Sequence, residues 1–244
     1  MLPVKRDFHI AHTAPFPRRG VFPVAHLSVD PSSKIKLNED DTTFLQTSGE
    51  TRPTIMRIGV LALQGDFDAH RRRLEELGAE VVLVKKPEQL NEIDGLVIPG
   101  GESGTFLKLL GEEGLAKLKD FVLAKPAFGT CAGCILLAAE VENPKQAGLG
   151  ALDITVRRNA YGRQIDSSIR EGRFLNEPIE MVFIRAPKIE RVGPGVEVIA
   201  TEGNDPVLVR KGQTLAATFH PELSDDRRIH QYFLDLIENS RPSN

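Results

Sequence analysis

The sequence predicts an α/β fold: an open, mostly parallel sheet with helices on both faces, extended by mixed or antiparallel strands. Three observations predict it. Between residues 56 and 140, short apolar runs alternate with helix-length amphipathic segments, the pattern of parallel strands joined by crossover helices. From about residue 148, strand-like segments follow one another through turns with no helix between them. The chain then closes on a strongly amphipathic segment.

The elements follow in order. "MRIGVLAL" (56–63) is a buried-strand run that ends at Gln64-Gly65. "DFDAHRRRLEELG" is a helix with Leu74 and Leu77 on one face and Gly78 as its stop; His70, among charges, reads as solvated. "AEVVLVKK" and "GLVIPGG" are strands, the second ending in a glycine pair. "TFLKLLGEEGLAKLKDFVLAK" is helical, with Gly111 and Gly114 expected to break or bend it. "PAFGT" is a short strand and "AGCILLAAE" a helix. "LGALDITVRR", "IEMVFIRAP", "VEVIATEG", "PVLVRKG" and "TLAATFHPEL" are strands expected to join the same sheet. "SDDRRIHQYFLDLIENS" is a helix with Ser224 as N-cap and an apolar stripe of Ile229, Tyr232, Phe233, Leu236 and Ile237; His230 on it reads as solvated.

Residues 1–55 differ from the rest. They are rich in Pro, Ser, Thr and charge and show neither helical nor strand period, so they read as a disordered or mis-started extension, with Met56 directly before the first clean strand. A targeting peptide is the alternative for this segment. The folded domain is expected over 56–244. A net charge of −3 gives no general pull toward nucleic acid or acidic lipid. There is no run of 18 apolar residues to span a membrane, and the N-terminus lacks the apolar core of a secretory signal. Two cysteines are too few for a disulfide framework and fit a reducing, cytoplasmic setting.

Both cysteines lie in "FGTCAGCILLAA" (128–139). Cys131 stands where a strand turns into a helix at the carboxyl edge of a parallel sheet, where such folds carry their chemistry. Gly129, Cys131 and Gly133 make the cysteine form of a nucleophile elbow, in which small neighbours permit a sharp turn. A helix N-terminus favours thiolate, the attacking form. Cys134, one helical turn on among Ile135, Leu136 and Leu137, reads as a small core hydrophobe, with a CxxC redox pair as the alternative. Zinc lacks a second CxxC or a paired-histidine motif. The base is His220, at the end of the strand "TLAATF" and followed by Pro221 and Glu222. In extended chain, residues two apart point the same way, so Glu222 can orient the imidazole.

From Met56 onward the chain resembles the class I (triad) glutamine amidotransferases, which are flavodoxin-like. More closely, it resembles the glutaminase subunits of pyridoxal 5′-phosphate synthase, the PdxT/SNO family. The shared motifs are "GVLALQGDFDAH", "PEQLNEIDGLVIPGGES", "FGTCAG", "RRNAYGRQIDS", "FIRAP" and "FHPEL", in the family's order. The resemblance implies Cys131 as nucleophile, His220 as acid/base and Glu222 as orienting acid. It implies L-glutamine binding by Gly101, Glu102, Ser103, Arg158, Ile184 and Arg185, and an oxyanion hole from the backbone of Gly100, Gly101 and Ala132. No metal or organic cofactor is required. The implied product, ammonia, passes to a barrel-shaped synthase subunit within a hetero-oligomer, for vitamin B6 synthesis. The competing class is a cysteine-elbow redox or binding protein on the same sheet, which has no need of His-Pro-Glu. The chain departs from the family at Cys134, where an aliphatic residue is expected, and at Gly104, where a hydroxyl residue is usual and whose glycine is expected to loosen the helix start.

Overall fold

The computed structural model describes residues 56–160 and 167–240. The reading of residues 1–55, and residues 161–166 of the "RRNAYGRQIDS" motif, lie outside them. The main sheet is built on four strands with continuous apolar runs: β1 (Arg57–Leu61), β2 (Glu80–Val84), β3 (Gly95–Ile98) and β4 (Ala127–Thr130). α1 (Phe67–Glu76) joins β1 to β2, and α2 (Ser103–Ala124) joins β3 to β4. A short 3-10 turn (Pro87–Glu92) precedes β3. α2 is bent at Gly111, whose φ of 61° and ψ of −174° suit glycine alone, so one of the two expected breaks is present. Gly114 remains helical and buried.

α3 (Ala132–Leu137) is shorter than the sequence suggests, because the chain becomes strand β5 (Ala138–Glu142) directly after it. β6 (Leu152–Arg157) follows, then β7 (Ser168–Phe174), β8 (Glu177–Phe183), β9 (Lys188–Val192), β10 (Glu197–Glu202), β11 (Asp205–Lys211), β12 (Thr214–Ala217) and α4 (Arg228–Glu238). The nine-stranded sheet has the order β2-β1-β3-β4-β12-β11-β10-β7-β8. Its β2-β1-β3-β4-β12 half is parallel and the remainder antiparallel. β6 does not join it as expected. It forms a separate three-stranded sheet with β5 and β9.

Strands of the parallel half alternate their side chains between two cores. Ile58, Val60, Val97, Phe128 and Leu215 face α1 and α4, packing with Leu74, Ile229, Phe233 and Ile237. Leu61, Leu96 and Ile98 face the other way, toward Phe106, Leu118 and Ile135 of α2 and α3. The small sheet adds Val141, Leu152, Ile154 and Ile189 to this second core. The stripe of α4 is as expected at Ile229, Phe233 and Ile237, with Tyr232 and Leu236 at its margin. Its N-cap is Arg227 rather than Ser224. The Ser224 hydroxyl instead accepts a hydrogen bond from the Asp226 N–H at 3.2 Å, fixing the turn that leads into the helix.

Candidate active site

The adjacent strands β4 and β12 bring the site together. They run parallel, with Thr130 opposite Ala217, so the residues just beyond their carboxyl ends emerge side by side. The Cys131 N–H bonds the Ala217 carbonyl at 2.8 Å and ties the elbow to β12. Cys131 itself has φ 47° and ψ −100°, a conformation unfavourable for a side chain with a Cβ and held here by its surroundings. Gly133 allows it: a Cβ there would collide with the Ile98 backbone.

His220 has φ −110° and ψ 82°, and Pro221–Leu223 forms a single 3-10 turn. The extended geometry expected across Pro221 therefore stops at His220. The tight turn brings Glu222 back beneath the ring, and Glu222 Oε1 lies 2.8 Å from His220 Nδ1. Both side chains are buried, and the Cys131 sulfur is near enough to His220 to act on its charge. Burial opposes charge on His220, but the Cys131 sulfur and the Glu222 carboxylate outweigh it, and the imidazole is pushed up to about 10. Burial likewise opposes ionisation of Glu222, yet the His70 and His220 imidazoles hold its carboxyl below the usual range. Cys134 is fully buried, and burial pushes its thiol up, so it is inert core, as expected. Neither cysteine is in a disulfide.

Beside Cys131 opens a cavity of about 180 Å³. Gly101, Glu102 and Ser103 form one wall; Arg158, Asn159, Arg185 and Pro187 form the other, over Ile135. Five of the six residues expected at a substrate thus surround one space next to the thiol. Ile184 contributes its backbone, its carbonyl lying 3.9 Å from Cys131 Sγ. Gly100 lies against the His220 ring, which leaves no room for a Cβ. Ala132 opens α3 directly after the thiol.

Glu102 organises its wall. Its carboxylate caps α2 by accepting from the N–H groups of Gly104 (3.2 Å) and Thr105 (2.7 Å) and from the Thr105 hydroxyl (3.0 Å). Arg158 donates to it at 3.0 Å from across the cavity. Burial works against its charge, but these donors win and hold its carboxyl below the usual range. The hydroxyl missing at Gly104 is supplied one residue later by Thr105, so the helix start is capped rather than loosened.

Several site residues escape sequence reasoning. Gln64 clamps the glycine loop from both sides, accepting from the Glu102 N–H (3.2 Å) and donating to the Glu102 carbonyl (3.1 Å). Its place in the "LQGD" turn was its one signal. His70 and His230, expected in solvent, are completely buried behind Glu222. The reason is their partners: each histidine finds a polar neighbour in the other, an arrangement spanning 160 residues.

A parallel sheet carrying a cysteine elbow on one strand and a His–Glu pair on its neighbour defines the class I glutamine amidotransferase type. Comparison with known proteins agrees. A profile of the SNO glutamine amidotransferase family matches residues 60–239, and the chain belongs to that family. It is 66% identical over 186 residues to a pyridoxal 5′-phosphate synthase subunit PdxT of Koribacter versatilis, covering 75% of this chain and 97% of that protein. It is 47% identical over 190 residues to the subunit of the same name from Fervidobacterium nodosum, covering 76% of this chain and all (100%) of that one. A crystal structure described as a glutamine amidotransferase superposes with a TM-score of 0.70 at 46% identity, covering 74% of this chain and 98% of its own.

Proposed function

We propose that residues 56–244 form a glutaminase domain that hydrolyses L-glutamine to L-glutamate and ammonia, with Cys131, His220 and Glu222 as its catalytic triad. The observation that carries this reading is the convergence of a strained, buried cysteine, an imidazole and a carboxylate beside a cavity walled by Glu102, Arg158 and Arg185. Cys131 attacks the side-chain amide carbon as thiolate, with His220 as the cationic partner that keeps the proton nearby. Glu222 fixes the ring and favours its charged form. His220 then protonates the departing ammonia and next takes a proton from the water that opens the thioester. The backbone N–H groups of Gly100, Gly101 and Ala132 receive the oxyanion. Glu102 and the two arginines match the ammonium and carboxylate of an amino acid; Ser103 and the Ile184–Arg185 backbone complete the pocket.

The ammonia serves a second chain. Relatives named as pyridoxal 5′-phosphate synthase subunits support a hetero-oligomer with a synthase subunit, acting in vitamin B6 synthesis; the two free cysteines suit a reducing, cytoplasmic setting for it. Among the described residues no helix is long and apolar enough to cross a membrane. The test is ammonia release from glutamine with and without the cognate synthase subunit, using the wild type, Cys131→Ser and Cys134→Ser. Expected are activity in the presence of the partner, its loss in Cys131→Ser and its retention in Cys134→Ser. Equal loss in both variants would favour a working CxxC pair and overturn the triad.

A further inference from the structure

Behind the His–Glu pair stands a polar line that the reaction above leaves without a part. His70 on α1 and His230 on α4 are both completely buried. His70 Nε2 lies 3.3 Å from Glu222 Oε2 and 3.0 Å from the Thr130 hydroxyl. His70 Nδ1 lies 3.0 Å from His230 Nε2. Phe128 packs edge-on against both imidazoles and closes the compartment from the apolar side. Thr130 immediately precedes Cys131, so the line starts and ends at the elbow.

The two oxygens of Glu222 are served unequally. Oε1 is taken by His220 at 2.8 Å. Oε2 is buried with no well-aligned hydrogen bond, and His70 is the imidazole set against it. A buried carboxylate oxygen left without a donor is costly, so a donor set against it steadies the whole group. The other charged or titratable groups packed around Glu222 are few. Arg73 reaches its main-chain carbonyl at 3.4 Å, not its carboxylate. Asp66, at the head of α1, sets a carboxylate within 4.8 Å of the ligand atoms of His220 and Glu222, like in charge to Glu222 and opposite to a cationic His220. Burial drives the His230 ring neutral, its value pushed down to about 3, so His230 acts on His70 as a hydrogen-bonding partner rather than a charge. An ionised carboxylate only accepts, so the His70 nitrogen that faces it must carry a proton.

We propose that His70 is a positioning residue for the triad: its Nε2–H, set by the His230 contact at Nδ1 and shared with the Thr130 hydroxyl, holds the outer oxygen of Glu222 so that the inner one stays on His220. This rests on the triad reading. The motif "QGDFDAH" therefore contributes twice, through Gln64 to the substrate wall and through His70 to the carboxylate.

The test measures glutamine hydrolysis by the full chain together with its synthase subunit. His70→Leu removes the donor at similar volume. It is expected to lower kcat about 10- to 100-fold, the range for lost outer hydrogen-bonding partners, with KM for glutamine changed less than about 3-fold. His70→Gln puts an amide N–H near the position of Nε2 and is expected to restore kcat to within about 3-fold of wild type. A purely structural role would lower thermal stability and the active fraction alike and would show no such rescue. Wild-type kcat in His70→Leu, or a Gln variant no better than Leu, overturns the proposal. If the Leu variant does not fold, ¹⁵N-histidine NMR of the wild type decides: a protonated His70 Nε2 is expected, and a bare one overturns the proposal. Cys131→Ala separates the two readings. Its activity would sink the triad itself, whereas an inactive Cys131→Ala beside a fully active His70→Leu sinks the positioning role alone.

Discussion

Gly100→Ala is a one-carbon probe of the site. Gly100 has no positive φ, so alanine is acceptable to its backbone. The obstacle is in space: a Cβ there would overlap His220 Cε1 and stand 3.0 Å from Nδ1. Ordinary carbon contacts need about 3.5–4 Å, so the ring must retreat by roughly 1 Å. Its Nδ1 is held by Glu222 at 2.8 Å, and retreat stretches that bond or draws the ring off the thiol. A displacement of this size at a reacting group costs on the order of 100-fold in rate, or about 2.7 kcal/mol of barrier. Overpacking adds about 1–3 kcal/mol of destabilisation. The assay is steady-state ammonia release with the synthase subunit, alongside thermal unfolding. A Gly100→Ala protein with kcat within about 3-fold of wild type would refute the claim that this glycine seats the imidazole.

Three other outcomes follow from the same geometry. Cys134→Ala should keep kcat while losing about 1–2 kcal/mol of stability in urea unfolding, because it empties a small core volume and touches no reacting group. Arg158→Ala should raise KM for glutamine about 10- to 100-fold, the worth of a charge-assisted hydrogen bond of about 1.5–3 kcal/mol, with kcat less affected. The His220–Glu222 pair sets a pH window for stability. His220 is raised from 6.5 to about 10, so its contribution is complete below about 6.5 and fades as pH rises toward 10. Glu222 is lowered from 4.5, so its contribution is present above that value and is lost as acid protonates the carboxylate. The stability difference between wild type and Glu222→Gln, followed by urea unfolding, should be greatest between about pH 4.5 and 6.5 and shrink on either side. A difference that grows toward pH 10 would contradict the assignment.

The parallel half of the fold was legible because its inner strands are buried on both faces and write themselves as unbroken apolar runs. β3 is "GLVI" and β12 "TLAA", each buried throughout. The elbow and His-Pro-Glu were legible because small residues and proline leave a local trace of a turn. Three strands were not. β5, "AAEVE", consists mostly of good helix formers and directly follows a helix, so nothing local marks the change. β7, "SIREGRF", alternates exposed charge with few apolar residues. β9, "KIERV", buries one residue fully and gains its place only by pairing with β6. The burial of His70 was invisible for a different cause. "DAHRRR" looks like a solvated helix face, and the groups that make burial tolerable come from β4, the turn after β12 and α4.

The position of β12 has a consequence for biosynthesis. This strand sits in the interior of the sheet, between β4 and β11, although among the described residues it is the last strand in chain order. While β4 waits for that neighbour, the sulfur at its tip has no proton acceptor, and the contacts that force its backbone into the elbow are incomplete. A nascent chain therefore carries an unarmed thiol from the synthesis of Cys131 until His220 has been made, and hydrolytic competence arrives in one late step, when a centre strand slots into a gap already flanked on both sides.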